Sequence, residues 1–243
     1  MEYILLAAAP GLAICLFIFY RDLYNKEPIL NLIISFILGC LAILPAMGFE
    51  TSFHKVSDGT ITGAAIFAYA IVGFSEELSK FLGLRLYSYN QKEFNEPLDG
   101  IIYSVMVSMG FATVENIMYA IKFQDMNVVL IRMVLTVPAH ATFAIIMGYF
   151  VGKAKFNSKA SLGLLLTGLL GAIFFHGTFD FFLFLNEIPT VSAQTGNGLL
   201  ALGAIASFII SLVLCRKMIL SNQRISKQIF KDRTLPPLPP DNV

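Results

Sequence analysis

TITGAAIFAYAIVGFSEELSKFLG, residues 60–83, runs without a charge as far as Ser75 and then places Glu76, Glu77 and Lys80 within one and a half turns. A helix that crosses a bilayer needs about 20 mostly apolar residues. A charge near the middle of such a helix costs on the order of 2.5–3.5 kcal/mol on insertion scales. The stretch therefore reads as a membrane-spanning helix whose charges are kept for a purpose. Glu76 and Lys80 are four residues apart and share a face, while Glu77 points about 100° away, so one turn presents carboxylates in two directions.

The rest of the chain fits the same reading. Of its 243 residues 56% are hydrophobic and only 14% charged, against about 25% charged in soluble domains. A formal net charge of +1 gives no pull toward nucleic acid. Cys15, Cys40 and Cys215 sit in apolar stretches with no CxxC pair, which argues against a disulfide framework or a zinc ribbon. Seven spans are predicted, at 3–20, 29–49, 61–86, 98–123, 128–152, 161–186 and 197–219. The first lacks a basic leader and reads as a retained helix. The connections are too short to hold a soluble domain. The fold class is an all-α polytopic membrane protein, with residues 1–222 as one transmembrane domain and 223–243 as a polar, Pro-rich flexible tail on the cytoplasmic side. Thirteen of the 17 Lys and Arg residues follow spans one, three, five and seven, against Lys55 and Lys122 on the opposite side. By the positive-inside rule the N-terminus lies outside and the C-terminus in the cytoplasm.

The spans hold further ionisable and polar groups: Glu115 and Asn116 in FATVEN, Arg132 near an outer end where it can snorkel, His140, and His176 with Asp180 in HGTFD, spaced i, i+4. His54 falls in a solvated loop. Counted from the predicted cytoplasmic ends at about 1.5 Å per residue, Glu76 and His140 lie roughly 18 Å deep, His176 about 22 Å, Glu115 about 25 Å and Asp180 about 28 Å. Groups on four helices thus share a depth band at or beyond the midplane, as one polar cavity requires. No Ser–His or Ser–Lys pair, GxSxG, HExxH or paired-aspartate pattern is present. Carboxylates and imidazoles remain. They suit hydrolysis in which a carboxylate takes a proton from water and an imidazole stabilises the oxyanion. They equally suit a zinc site of two histidines and a glutamate, with a second glutamate as base. A proton-relaying transporter would use the same residue types, although no inverted repeat is evident.

The order EELSK (76–80), FATVEN (111–116), His140, HGTFD (176–180) resembles the PrsW family of intramembrane proteases, as do YRDLYNKEP (20–28), EPLDGIIYSVMVSMGFATVENIMYA (96–120) and HATFAIIMGYFVG (140–152). The resemblance covers roughly residues 20–186. It departs from the related type II CAAX prenyl proteases, whose pattern is EExxxR, FxxxH and HxxxN/D: Lys80 stands one position before their Arg and Glu115 stands at their FxxxH histidine. Prenyl substrates are therefore not expected. The resemblance implies a protease of the bacterial plasma membrane that cuts a single-pass protein near its extracellular side, typically an anti-sigma factor in envelope or antimicrobial-peptide stress signalling. It implies Glu76 as general base assisted by Glu115, and Glu77 as support or ligand. His140 and His176 would bind the oxyanion, or zinc together with Glu77. Asp180 would orient His176, with Lys80 and Asn116 holding the network. A non-proteolytic immunity or binding protein on the same scaffold is the alternative reading.

Overall fold

The computed structural model describes residues 2–234, and among them there is no strand. Among the described residues, seven helical segments are long and apolar enough to cross a membrane: Glu2–Arg21, Ile29–Val56, Ile61–Asn90, Pro97–Phe123, Met126–Lys155, Ser161–Glu187 and Asn197–Lys231. All seven expected spans are present, most with boundaries within a few residues. The seventh helix departs most: it continues to Thr234, past the expected end at 219 and through the first part of the expected tail. Residues 216–233 contain neither Gly nor Pro, so nothing in the chain stops the helix. Asn222 and Ser226 are buried there, and Asn222 Nδ2 donates to the Pro97 carbonyl at 2.9 Å. The LPPLPP segment lies outside the described residues.

The fourth span is the axis of the bundle. Every residue from Pro97 to Thr113 is buried, and the first, second and fifth spans pack around it. Close approach rests on glycine. A Cβ on Gly148 would collide with backbone atoms of Gly100 and Ile101, and one on Gly100 with Gly148 and Gly152. Backbones that nearly touch gain dispersion and tight packing where lipid supplies no hydrophobic drive. Gly148→Val forces the fourth and fifth spans apart. Overpacking of this kind costs about 1–3 kcal/mol or more. The variant is expected to elute from size exclusion in detergent largely as aggregate, whereas Gly163→Val, facing open space, elutes as wild type.

Two spans depart from regular α-helix. The third contains a π-helical stretch at Phe67–Gly73, between Ile61–Ile66 and Phe74–Leu86. The fifth contains one at Arg132–Thr136, just before Val137–Lys155. A π turn holds one extra residue, so the side chains that follow sit about 100° from where an unbroken α-helix would aim them. Both stretches end within four residues of the polar groups singled out above, Glu76–Glu77 and His140.

At the end of the bundle where the first span meets the second, the 22–28 connection carries a buried acidic network. Glu27 accepts from the Tyr103 hydroxyl, and Asp22 Oδ2 accepts from the Glu27 N–H at 3.1 Å. Burial pushes the Glu27 carboxyl up to about 7, aided by the neighbouring Asp22 and Glu93 charges and opposed by the Tyr103 hydrogen bond. A carboxyl whose folded value is raised favours the folded state fully below its ordinary value of 4.5. That contribution is lost as pH rises from there through about 7. Thermal stability in detergent should therefore fall as pH rises from 5 to 8, and Glu27→Gln should flatten this slope.

Candidate active site

Third-span residues 74–86 form a helix that buries Glu76, Glu77 and Lys80. The Lys80 ammonium donates to Glu76 Oε2 at 2.9 Å and to Glu77 Oε1 at 2.8 Å, and lies 3.2 Å from His140 Nδ1 on the fifth span. It also sits 4.1 Å from the centroid of the Phe111 ring, a cation–π distance. His176, on the sixth span, meets Glu77 Oε1 through Nδ1 at 2.8 Å and Asp180 Oδ2 through Nε2 at 3.1 Å. His140 Nε2 meets Glu115 Oε2 at 3.0 Å. The two imidazole centroids are 5.0 Å apart, and Phe143 stacks on His176 at the same separation. Ser108 holds the His140 backbone carbonyl at 3.1 Å.

The packing that brings these groups together is local and specific. Gly177, next to His176, leaves no room for a Cβ against the Tyr69 ring and backbone on the third-span π stretch. The Tyr69 hydroxyl then bonds Thr178 Oγ1 at 2.9 Å. The third and sixth spans are thereby held close about two turns before Glu76 and Glu77.

Glu76, Glu77, Lys80, Glu115, Asn116, His140, His176 and Asp180, the expected site residues, belong to one connected network. The expected pairs Glu76–Lys80 and His176–Asp180 form as their spacing implied. Asn116 reaches the network through Arg132: its Oδ1 accepts from Arg132 Nε at 3.0 Å, while its Nδ2 donates to the Ala7 carbonyl at 2.8 Å. Arg132 does not snorkel. It folds inward to Glu115 Oε2 at 2.9 Å and lies 3.8 Å over the Tyr119 ring, because a buried carboxylate and an aromatic face offer more than the interface does. His54 forms one exposed turn away from the site.

A cavity of about 490 Å³ opens onto the network, bounded by the second to sixth spans. Glu76, Glu115, His140, His176 and Asp180 line it; Glu77 and Lys80 do not. Two further acids, Glu50 and Glu187, line the cavity, and Glu50 accepts from Ser75 Oγ at 3.2 Å. The expected second span stops at Phe49, short of Glu50, but the helix runs to Phe53. The available signal was the lack of any Gly or Pro between Phe49 and Phe53.

Glu76, Glu77, His140 and His176 each offer one ligand atom, all within 4.8 Å of one another. Two carboxylates and two imidazoles suit zinc or another first-row divalent ion. Glu115 on His140 and Asp180 on His176 are carboxylate partners of the kind that fix a metal-ligating imidazole's tautomer and ring plane. The donor set fits a metal by its chemistry.

A family model for "PrsW family intramembrane metalloprotease" matches residues 27–214. The chain is 35% identical over 183 residues to Protease PrsW of Shouchella clausii, covering 75% of this chain and 84% of that one. It is 35% identical over 176 residues to Protease PrsW of Bacillus subtilis, covering 72% and 79%. With Protease PrsW of Clostridioides difficile it is 35% identical over 192 residues, covering 76% and 81%. No solved structure matches. Seven helices long and apolar enough to cross a membrane, a cavity lined by ionisable groups between them and these relatives agree: the chain belongs to the PrsW family of intramembrane metalloproteases, multi-pass peptidases of the bacterial cell membrane.

Proposed function

We propose that the protein hydrolyses a peptide bond of a single-pass membrane protein near its extracellular side, as the site-1 cut of an anti-sigma factor in envelope or antimicrobial-peptide stress signalling. The observation that carries the reading is the convergence of Glu76, Glu77, His140 and His176 to within 4.8 Å of one another, three of them lining the cavity. The outward-shifted depth of these groups, with the N-terminus outside and the C-terminus cytoplasmic, favours a cut on the outer side. His140, His176 and Glu77 would hold zinc, which when bound supplies Lewis-acid polarisation and a more acidic water.

The chain's own groups divide the remaining work. Glu76 faces the cavity whereas Glu77 is 1% exposed and does not. Glu76 therefore takes the proton from water and returns it to the leaving amine. Glu115 Oε2 is engaged by both His140 and Arg132, so it orients His140 rather than exchanging protons itself. Asp180 does the same for His176. Asn116 fixes Arg132 and ties this arm to the first span. The apolar walls, including Ile43, Met47, Phe111 and Leu183, limit water and strengthen the polar interactions inside.

The test is reconstitution in liposomes with a candidate single-pass anti-sigma factor, with and without a zinc chelator. Cleavage is expected to fall to background under chelation and to return on adding zinc. Cleavage that persists through exhaustive chelation would overturn the zinc assignment. An inserted wild type that cuts no anti-sigma factor but cuts another single-pass protein would overturn the substrate assignment.

A further inference from the structure

We propose that the Lys80 ammonium and the metal ion occupy the same place in turn, so that Lys80 is a tethered competitor that holds the donor set assembled until metal displaces it. The inference rests on the metal-site reading above and concerns how that site is loaded. Lys80 has three N–H donors and uses them on Glu76 Oε2, Glu77 Oε1 and His140 Nδ1, at 2.9, 2.8 and 3.2 Å. Three of the four residues of the candidate metal group are thus bonded by one buried cation.

The decisive atom is His140 Nδ1. A neutral imidazole has a single acceptor lone pair. Nε2 faces Glu115 Oε2 at 3.0 Å, which places the ring proton there and leaves the Nδ1 lone pair pointing at Lys80. That lone pair can accept from the ammonium or bind a metal, never both. Rotating the ring to offer Nε2 would break the Glu115 contact that orients it. A divalent ion therefore enters only as Lys80 withdraws. The structure also offers somewhere for the ammonium to go. Glu77 Oε2 is buried with no hydrogen-bond partner, so Lys80 can exchange one oxygen of Glu77 for the other. The buried Glu76 and Glu77 carboxylates would repel each other without any cation, since buried unpaired charge is strongly unfavourable. Lys80 removes that penalty in the metal-free protein and in return weakens metal binding.

Purified wild type, Lys80→Met and Lys80→Gln in detergent would be titrated with Co²⁺, read by its visible absorption, and with Zn²⁺ by competition against a chromophoric chelator. Both variants are expected to bind at least tenfold more tightly than wild type. Metal-free, they should melt below wild type and regain stability on Zn²⁺, with a larger upward shift than wild type shows. Equal affinities, or weaker binding in the variants, overturn the competition while leaving the metal site standing; Lys80 would then support the ligands. Absence of binding in all three proteins overturns the metal reading and this inference with it. Should the variants aggregate, the wild type decides: the Lys80 ¹⁵Nζ resonance is expected to move to a new position at one equivalent of Zn²⁺. A resonance unmoved by saturating zinc overturns displacement.

Discussion

Glu76→Gln is expected to lower kcat by about 10²–10⁴-fold, the range that removal of a positioned general base produces, with KM little changed. Gln has the same shape and still offers Lys80 a carbonyl oxygen, so the 2.9 Å contact can survive. What it cannot do is accept a proton. Glu76 is the member of the Glu76–Glu77 pair that lines the cavity, so the same change at Glu77 should act differently. There it should weaken metal binding and the His176 contact at 2.8 Å. Cleavage kinetics beside a metal-affinity measurement separate the two. If Glu76→Gln retains more than a tenth of the wild-type rate, another group is the base and the assignment fails.

Gly177→Ala should cost about 10²-fold in kcat/KM, although it adds one methyl group and touches no reacting atom. A Cβ at Gly177 would sit 3.0 Å from the Tyr69 Cα and closer still to its ring. Backbone cannot yield as a flexible side chain can, so the third and sixth spans must separate there. Glu77 and His176 ride on those two spans and meet at 2.8 Å. A displacement near 1 Å between catalytic elements is enough for a hundredfold loss. Gly198→Ala, where no atom lies within 4 Å, is the control and should be indistinguishable from wild type. Wild-type turnover by Gly177→Ala would mean that this contact does not set the site geometry.

The seven spans and the polar pairs were legible in the sequence because each is a local property. Apolar runs announce crossings, and i, i+4 spacing announces Glu76 with Lys80 and His176 with Asp180. Even the convergence of four helices could be argued from depth alone. What escaped was set by packing between helices. No local pattern marks Phe67–Gly73 or Arg132–Thr136 as π-helical, since both are composed of ordinary span residues. Arg132 turns inward only because Glu115, Asn116 and Tyr119 wait on another helix. Glu50 falls outside the expected second span because that span ends at 49, four residues short of the helix end at Phe53. The link from Lys80 to His140 joins residues sixty apart, beyond what spacing within one helix can suggest.

The pairing of Lys80 within its own helix also bears on how the protein comes to be made. The third span is the least apolar of the seven, and it is synthesised before His140 and His176 exist. Its two glutamates must enter the bilayer without their eventual partners. Lys80, three and four residues away at 2.8 and 2.9 Å, travels with them and reduces three charges to a net of one. The helix thus carries its own counterion through biogenesis, and the proposed catalytic group is complete only when the sixth span has been made. Until then the group that Glu76, Glu77 and His140 form with His176 lacks its fourth member.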